Sequence, residues 1–161
     1  STYLFAICVA STATKSVYIR KLSLLTNFTG TGAASSAQYA VHLFYATAVS
    51  DSSGAGGSTM KYKTSYASPQ AAVVVGEGAG GSVTITTERQ LVLANLRSPR
   101  RVGSAMVLDM NFINNYTPKG LYLNPYMTMG GTKYAGIGVQ ILNSSVVGDY
   151  INMIGEWGEY A

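Results

Sequence analysis

The sequence predicts an all-β chain: an antiparallel jelly-roll sandwich of about eight strands with an extra N-terminal strand or arm. Three observations predict it. Apolar residues recur with period two and not with helical spacing. Clusters of Gly, Ser, Thr, Asn and Asp interrupt these runs every 8–15 residues or so, the rhythm of a sandwich or barrel. Finally, no stretch offers a capping residue followed by three turns of i, i+3, i+4, i+7 apolar positions.

In chain order, Tyr3 to Ala10 is an apolar, β-prone run. Residues 15–26 form a strand whose apolar set starts on Val17 and Ile19 and then changes parity to Leu22 and Leu24. That switch marks a bulge, or a bend where the strand passes from one sheet to another. Tyr39, Val41, Leu43 and Tyr45 alternate with Ala40, His42 and Phe44, giving a strand over 37–49 with one apolar and one mixed face. Shorter strands are expected at 58–66, at 70–75 with 82–87, and at 89–96, the last also readable as a helix. Met106, Leu108, Met110 and Phe112 define a strand over 103–113, followed by one at 120–127. Ala135, Ile137, Val139 and Ile141 interleave with Gly136, Gly138 and Gln140 in a strand over 135–142, and 148–157 closes the chain. The organisation expected is an N-terminal strand or arm over 1–14 and one domain over 15–161, without repeat or linker.

Of the 161 residues only 18 are charged, 11%, against about 25% in an average soluble domain. Ser and Thr number 32 and Gly 18, while 47% of positions are hydrophobic. Low charge with high hydrophobicity excludes a disordered chain, and the scarcity of Glu and Lys excludes a coiled coil. So uncharged a surface is poorly protected against association, which suggests that other subunits cover much of it. The net charge of +4 is too mild for a dedicated nucleic-acid binder. Arg97, Arg100 and Arg101 form one basic cluster, readable as a solvated loop or as a contact to an acidic partner surface.

The single cysteine, Cys8, makes no intrachain disulfide and is expected to pack as a small hydrophobe. The run around it is too short to span a bilayer and lacks the basic flank of a signal peptide; beginning at Ser1, the chain reads as a mature product with its Met removed. Sequons at Asn27, Asn115 and Asn143 are no more than chance supplies in a chain so rich in Ser and Thr.

A literal G-x-G-x-x-G occurs at Gly76, Gly78 and Gly81, but a β-branched run follows it instead of a helix. No acid stands about 20 residues on, since Glu88 is too near and Asp109 too far, so no dinucleotide cofactor is expected. His42 is the only histidine and has no nucleophile elbow to serve, and one His with one Cys cannot furnish ordinary zinc ligation. Asp51 and Asp149 each lack a neighbouring carboxylate for calcium. Glu156 and Glu159 are the nearest acid pair, but three residues apart on a strand they face opposite ways. No catalytic, cofactor or metal site is therefore expected.

Contact residues are better represented. Tyr3, Leu4, Phe5 and Ile7 belong to a segment able to add to a neighbour's sheet edge or to form an edge strand of its own fold. Gly136 and Gly138, turned from the buried side of their strand, suggest a flat surface for a neighbouring subunit. Twelve Tyr against four Phe favour half-wet edges and subunit contacts; a sugar-stacking patch of Tyr122, Tyr126, Tyr134 and Trp157 is the sharper alternative.

The order of segments carries a resemblance. A strand Val17-Tyr18-Ile19-Arg20-Lys21-Leu22-Ser23-Leu24 and a Gly/Thr loop precede Tyr39-Ala40-Val41-His42-Leu43-Phe44-Tyr45. Lys61-Tyr62-Lys63, Ser68-Pro69-Gln70-Ala71-Ala72 and Gly120-Leu121-Tyr122-Leu123 follow, and the chain closes on Ile151-Asn152-Met153-Ile154-Gly155-Glu156-Trp157-Gly158-Glu159. This resembles the small jelly-roll virion proteins of tailed bacteriophages, the capsid cement (decoration) proteins and the head or tail fibre domains. The resemblance implies a non-enzymatic structural protein, commonly a homotrimer, bound to the major capsid protein on the capsid surface. The alternative it implies is a receptor- or glycan-binding knob of a fibre; neither involves nucleic acid or membrane.

Overall fold

The structure is a computed structural model that describes residues 2–27, 36–51, 60–75, 83–99, 105–127, 133–141 and 150–161. Ten strands lie along them: β1 (Thr2–Tyr3), β2 (Phe5–Ala10), β3 (Ser16–Asn27), β4 (Ser36–Asp51), β5 (Ala72–Val75), β6 (Val83–Pro99), β7 (Ala105–Asn111), β8 (Leu121–Leu123), β9 (Tyr134–Ile141) and β10 (Tyr150–Tyr160). One 3-10 turn at Pro125–Met127 is the only helical element among the described residues. Every named strand pair is antiparallel. The chain is an all-β antiparallel sandwich, with a six-stranded sheet ordered β1-β6-β4-β9-β2-β5 over a four-stranded one of β10-β3-β7 with β8 beside β3.

Between the sheets, period-two alternation does what the sequence suggests. Ile7 and Val9 of β2, Val41 and Leu43 of β4, and Ala135, Ile137 and Val139 of β9 face Val17, Ile19, Leu22 and Leu24 of β3 with Leu121, Leu123 and Phe112. Each fully buried aliphatic side chain contributes about 1.5–3 kcal/mol of transfer free energy. The parity switch in β3 is a bulge: Ile19 pairs with Trp157 and Lys21 with Glu156, leaving Arg20 over. The strand does not change sheets there. It exchanges one neighbour for another, β8 against Val17 to Ile19 and β7 against Lys21 to Asn27.

The six-stranded sheet is apolar on its other face as well. Ala6, Cys8, Phe44 and Ala46 form a second core with Tyr3 and Ile85. What covers this face follows from the register. Val139 lies opposite Val41, and Val83 opposite Asp51. Ten residues of straight β4 would hold those points about 33 Å apart. Yet Tyr3 pairs with Val83 while the next residue, Leu4, donates its N–H to Val139 O at 2.8 Å. The β4–β6 pair must therefore curl back over the sheet, and its register shifts at Val41/His42, Tyr45/Ala46 and Ala46/Ala48 supply the bend.

Several expectations change accordingly. The N-terminal segment splits: the short β1 is an edge strand beside β6, whereas β2 is an interior strand between β9 and β5. Tyr3 and Ile7 are buried in the two cores, and half-buried Leu4 and Phe5 pack against the first, so all four make contacts within their own fold. Gly136 and Gly138 are not an open surface either: a methyl on Gly138 would stand 2.6 Å from the Tyr3 ring, and one on Gly136 would strike the Phe44 ring and Ile7 O. The glycines are there because aromatic side chains of the same chain lie flat against that face. Residues 60–71 form no strand, the described part of 82–87 merges with 89–96 into β6, and 120–127 shortens to β8 plus the 3-10 turn. Gly76, Gly78, Gly81, Arg100, Arg101, Asn143 and Asp149 lie outside the described residues.

Buried polar groups cluster on the second face. His42 Nδ1 and the Tyr3 hydroxyl approach to 3.4 Å, and Gln90 Nε2 donates to that hydroxyl. Burial lowers the His42 pKa and pushes the Cys8 thiol up to about 11 and the Tyr3 phenol, against the Gln90 hydrogen bond, up to about 12. Cys8 is the inert, hydrophobe-like thiol that the sequence suggests.

Two outcomes follow. Gly136→Ala and Gly138→Ala, which force rings or backbone aside, should each lower stability by about 1–3 kcal/mol in urea titration, and an unchanged midpoint refutes this packing. Stability should also fall on both sides of neutrality. A lowered His42 pKa contributes stability above the unfolded value near 6.5 that is lost as pH drops below it; the raised Cys8 and Tyr3 values contribute stability lost as pH climbs from about 9 toward 12. Denaturation midpoints against pH test this, and an undiminished alkaline fall in a Cys8→Ala, Tyr3→Phe variant would contradict the assignment.

Candidate functional site

A groove of about 1310 Å³ lies between β10 and the segment 60–70. Its position follows from the unequal sheets. β10 is the last strand of the four-stranded sheet, and Ile7 of β2 rises beneath it into the space that Gly155 leaves by lacking a side chain. The wider sheet continues one strand further, to β5, and Phe5 and Ile7 form part of the groove floor.

Trp157 and Glu159, two residues apart and so on one face of β10, look inward. Trp157 packs against the first core and its Nε1 donates to Glu159 Oε2 at 2.9 Å. The Glu159 carboxylate also accepts from Gln70 N at 2.7 Å and Ala71 N at 3.4 Å. Gln70 in turn accepts at Oε1 from Thr14 N and Lys15 N and donates from Nε2 to Thr14 Oγ1, each at 3.0 Å. The segment 60–71 is thus a strap, pinned at one end through Gln70 to both β10 and the β2–β3 turn.

The opposite face of β10 carries Glu156. Its Oε1 pairs with Arg20 Nε at 2.9 Å, and the Tyr62 hydroxyl donates to the same carboxylate, which pushes the Tyr62 phenol up. Arg20, set outward by the bulge, also hydrogen-bonds Tyr160, and this contact ahead of the Glu156 charge raises its pKa further. Beside it runs a ladder of rings: Tyr122 stacks on Tyr18 at 5.0 Å and 25°, and Tyr18 meets Tyr160 edge-on at 5.6 Å. The Lys119 ammonium sits 4.6 Å from the Tyr160 ring centre.

The acid pair behaves as the strand period requires. Glu156 and Glu159 face opposite ways, and each is engaged, one by a cation and a phenol, the other by three N–H donors. The four rings expected to stack a sugar do not form one platform. Tyr122 joins the outer ladder, Trp157 faces inward, and Tyr134 packs on the second core. Tyr126 is exposed and donates its hydroxyl to Ser11 O at 3.0 Å. Arg97 is exposed on β6 opposite Gln38, and no cluster of three metal-ligating side chains occurs among the described residues. Sequence reasoning missed Tyr18, Arg20, Tyr62 and Tyr160. Alternation with buried Val17 and Ile19 was the available signal for Tyr18, and the parity switch was the signal for Arg20; Tyr62 is placed by the strap, which no periodicity announces.

Comparisons with protein-family models, with curated proteins and with solved structures return no match to this chain.

Glu156→Gln should return the Tyr62 phenol toward its ordinary pKa in an ultraviolet pH titration, with a stability loss of no more than about 1 kcal/mol because the Arg20–Glu156 pair is partly exposed. A Tyr62 titration indifferent to that substitution would remove it from the site.

Proposed function

We propose that this chain is a non-catalytic structural protein of a virion, a capsid cement or decoration protein that binds the outer capsid surface as an oligomer, for which a homotrimer is the form the resemblance implies. The observation that supports this reading most is a run of large apolar side chains on the outer face of the four-stranded sheet. Ile154 is 74% exposed, Val107 60% and Leu25 38%. Val107 lies directly opposite Leu25, and Ile154 sits one row along, opposite Ser23, within reach of Leu25 on the diagonal. Contiguous apolar surface on a sheet face is characteristic of subunit contacts. In this reading that face packs on further copies of the chain, and the scarcity of charge serves the assembly.

A second reading has its own support. The ring ladder of Tyr122, Tyr18 and Tyr160, flanked by Arg20, Glu156 and Lys119, has the mixture of stacking surface and in-plane hydrogen-bonding groups that a saccharide uses, which suits a glycan-binding knob.

Light scattering on the purified chain separates them. The assembly reading expects a defined oligomer that an Ile154→Glu, Val107→Glu variant reduces to monomer with its fold intact, and electron microscopy that finds the protein on the capsid lattice. An unaltered mass in that variant, or reproducible glycan binding lost with Tyr122→Ala, favours the knob.

A further inference from the structure

Nine consecutive residues of β10, Asn152 to Tyr160, line the groove. A strand that shows a cavity one face lines it with every second residue. An unbroken run means that the wall is the strand's backbone edge. Among the described residues β10 pairs with β3 and with nothing on its other side. The strap opposite contributes no ladder: residues 60–70 are all exposed, and their links to β10 run to its carboxylates, from the Tyr62 hydroxyl to Glu156 and from Gln70 N to Glu159. The layer is also one strand short there, because β5 extends the six-stranded sheet beyond β2 while the sheet above it ends at β10.

We propose that the groove receives an extended segment of another polypeptide, which adds as a strand to the free edge of β10. The dimensions suit it. Nine strand residues span about 30 Å, and the 1310 Å³ volume exceeds the roughly 300–1,000 Å³ of a small-molecule pocket. Phe5, Ile7 and Met153 line the inner side and take alternate apolar side chains of the incoming strand. Lys15, Arg20 and Lys61 line the groove against Glu156 and Glu159. Arg20 is paired with Glu156, and Lys61 rests on Thr64 O and Tyr66 O, but neither lysine has a carboxylate partner among the described residues, so the lining is net positive and the intervening positions are acidic. A saccharide is less well served, since the inward polar groups, Trp157 Nε1 and Glu159, already bond each other. The partner is a different protein and not a second copy, because none of the seven acids of this chain lies in a run that alternates acidic with apolar residues. This deepens the assembly reading by naming a contact surface, and rests on it only for the partner's origin.

The test adds a capped synthetic peptide of about ten alternating Val and Glu residues to the full chain. Emission of Trp157, the only tryptophan, and hydrogen exchange of the β10 amides are followed. The expected result is an emission shift with protection of alternate amides between Asn152 and Tyr160. Methylating alternate peptide nitrogens should abolish it, and a Val/Lys peptide should bind at least about tenfold more weakly. A Lys15→Glu, Lys61→Glu variant should invert that charge preference. No β10 protection at the highest soluble peptide concentration overturns the proposal. So does binding that survives N-methylation, binding indifferent to peptide charge, or a shift produced by oligogalacturonate and not by the peptide. Val107 does not line the groove, so loss of self-association in a Val107→Glu variant leaves this outcome unaffected.

Discussion

A sheet that is apolar on both faces has to be covered twice, and the rest of the architecture follows from that constraint. The strands β3, β7, β8 and β10 cover one face of the six-stranded sheet. Among the described residues no second sheet lies over the other, so the long β4–β6 pair bends over it and β1 closes the gap. The bend needs bulges, the close approach of Tyr3 and Phe44 needs glycine at 136 and 138, and the polar groups caught beneath need each other, which is why His42, Tyr3 and Gln90 meet. Part of the charge deficit is explained here, without any partner: much of the strand surface is interior to the chain itself.

The strands themselves were legible in the sequence. Alternation located β3, β4, β7 and β9 within a few residues, because each has a face whose burial is decided by the neighbouring strand. The parity change between Ile19 and Leu22 announced the bulge at Arg20. What could not be read was where a second buried face comes from. Tyr3 to Ala10 looks the same as an edge strand, an arm or an interior strand, because an unbroken apolar run records that both sides are covered and not by what. Gly136 and Gly138 record a close approach in the same way, and only the register identifies the visitor as Phe44 and Tyr3.

The groove was less legible still. It arises from a mismatch in sheet width, six strands over four, and a count of strands along the chain does not say how they are shared between layers. Glu159 illustrates the difficulty. From the sequence it is half of an acid pair without a use; in the fold it is the anchor of the strap, holding the backbone of Gln70 and Ala71 while Gln70 holds Thr14 and Lys15. Three chain segments far apart in sequence meet at one carboxylate and one amide, and the groove stays open beside them.

The interior position of β2 has a consequence for how the molecule forms. Phe5 pairs with Val139, and Ser16 with Tyr160. Both registers join residues well over a hundred positions apart, so the loops to be closed are long, and their entropy is spent before the pairing returns it. Topologies of this kind belong to the slow end of the folding spectrum, in milliseconds to seconds. On a ribosome β2 can meet β5 as soon as Val75 has been made, but its other edge stays open until β9 follows. An interior strand is thus left half paired while the segment that completes it is still to come.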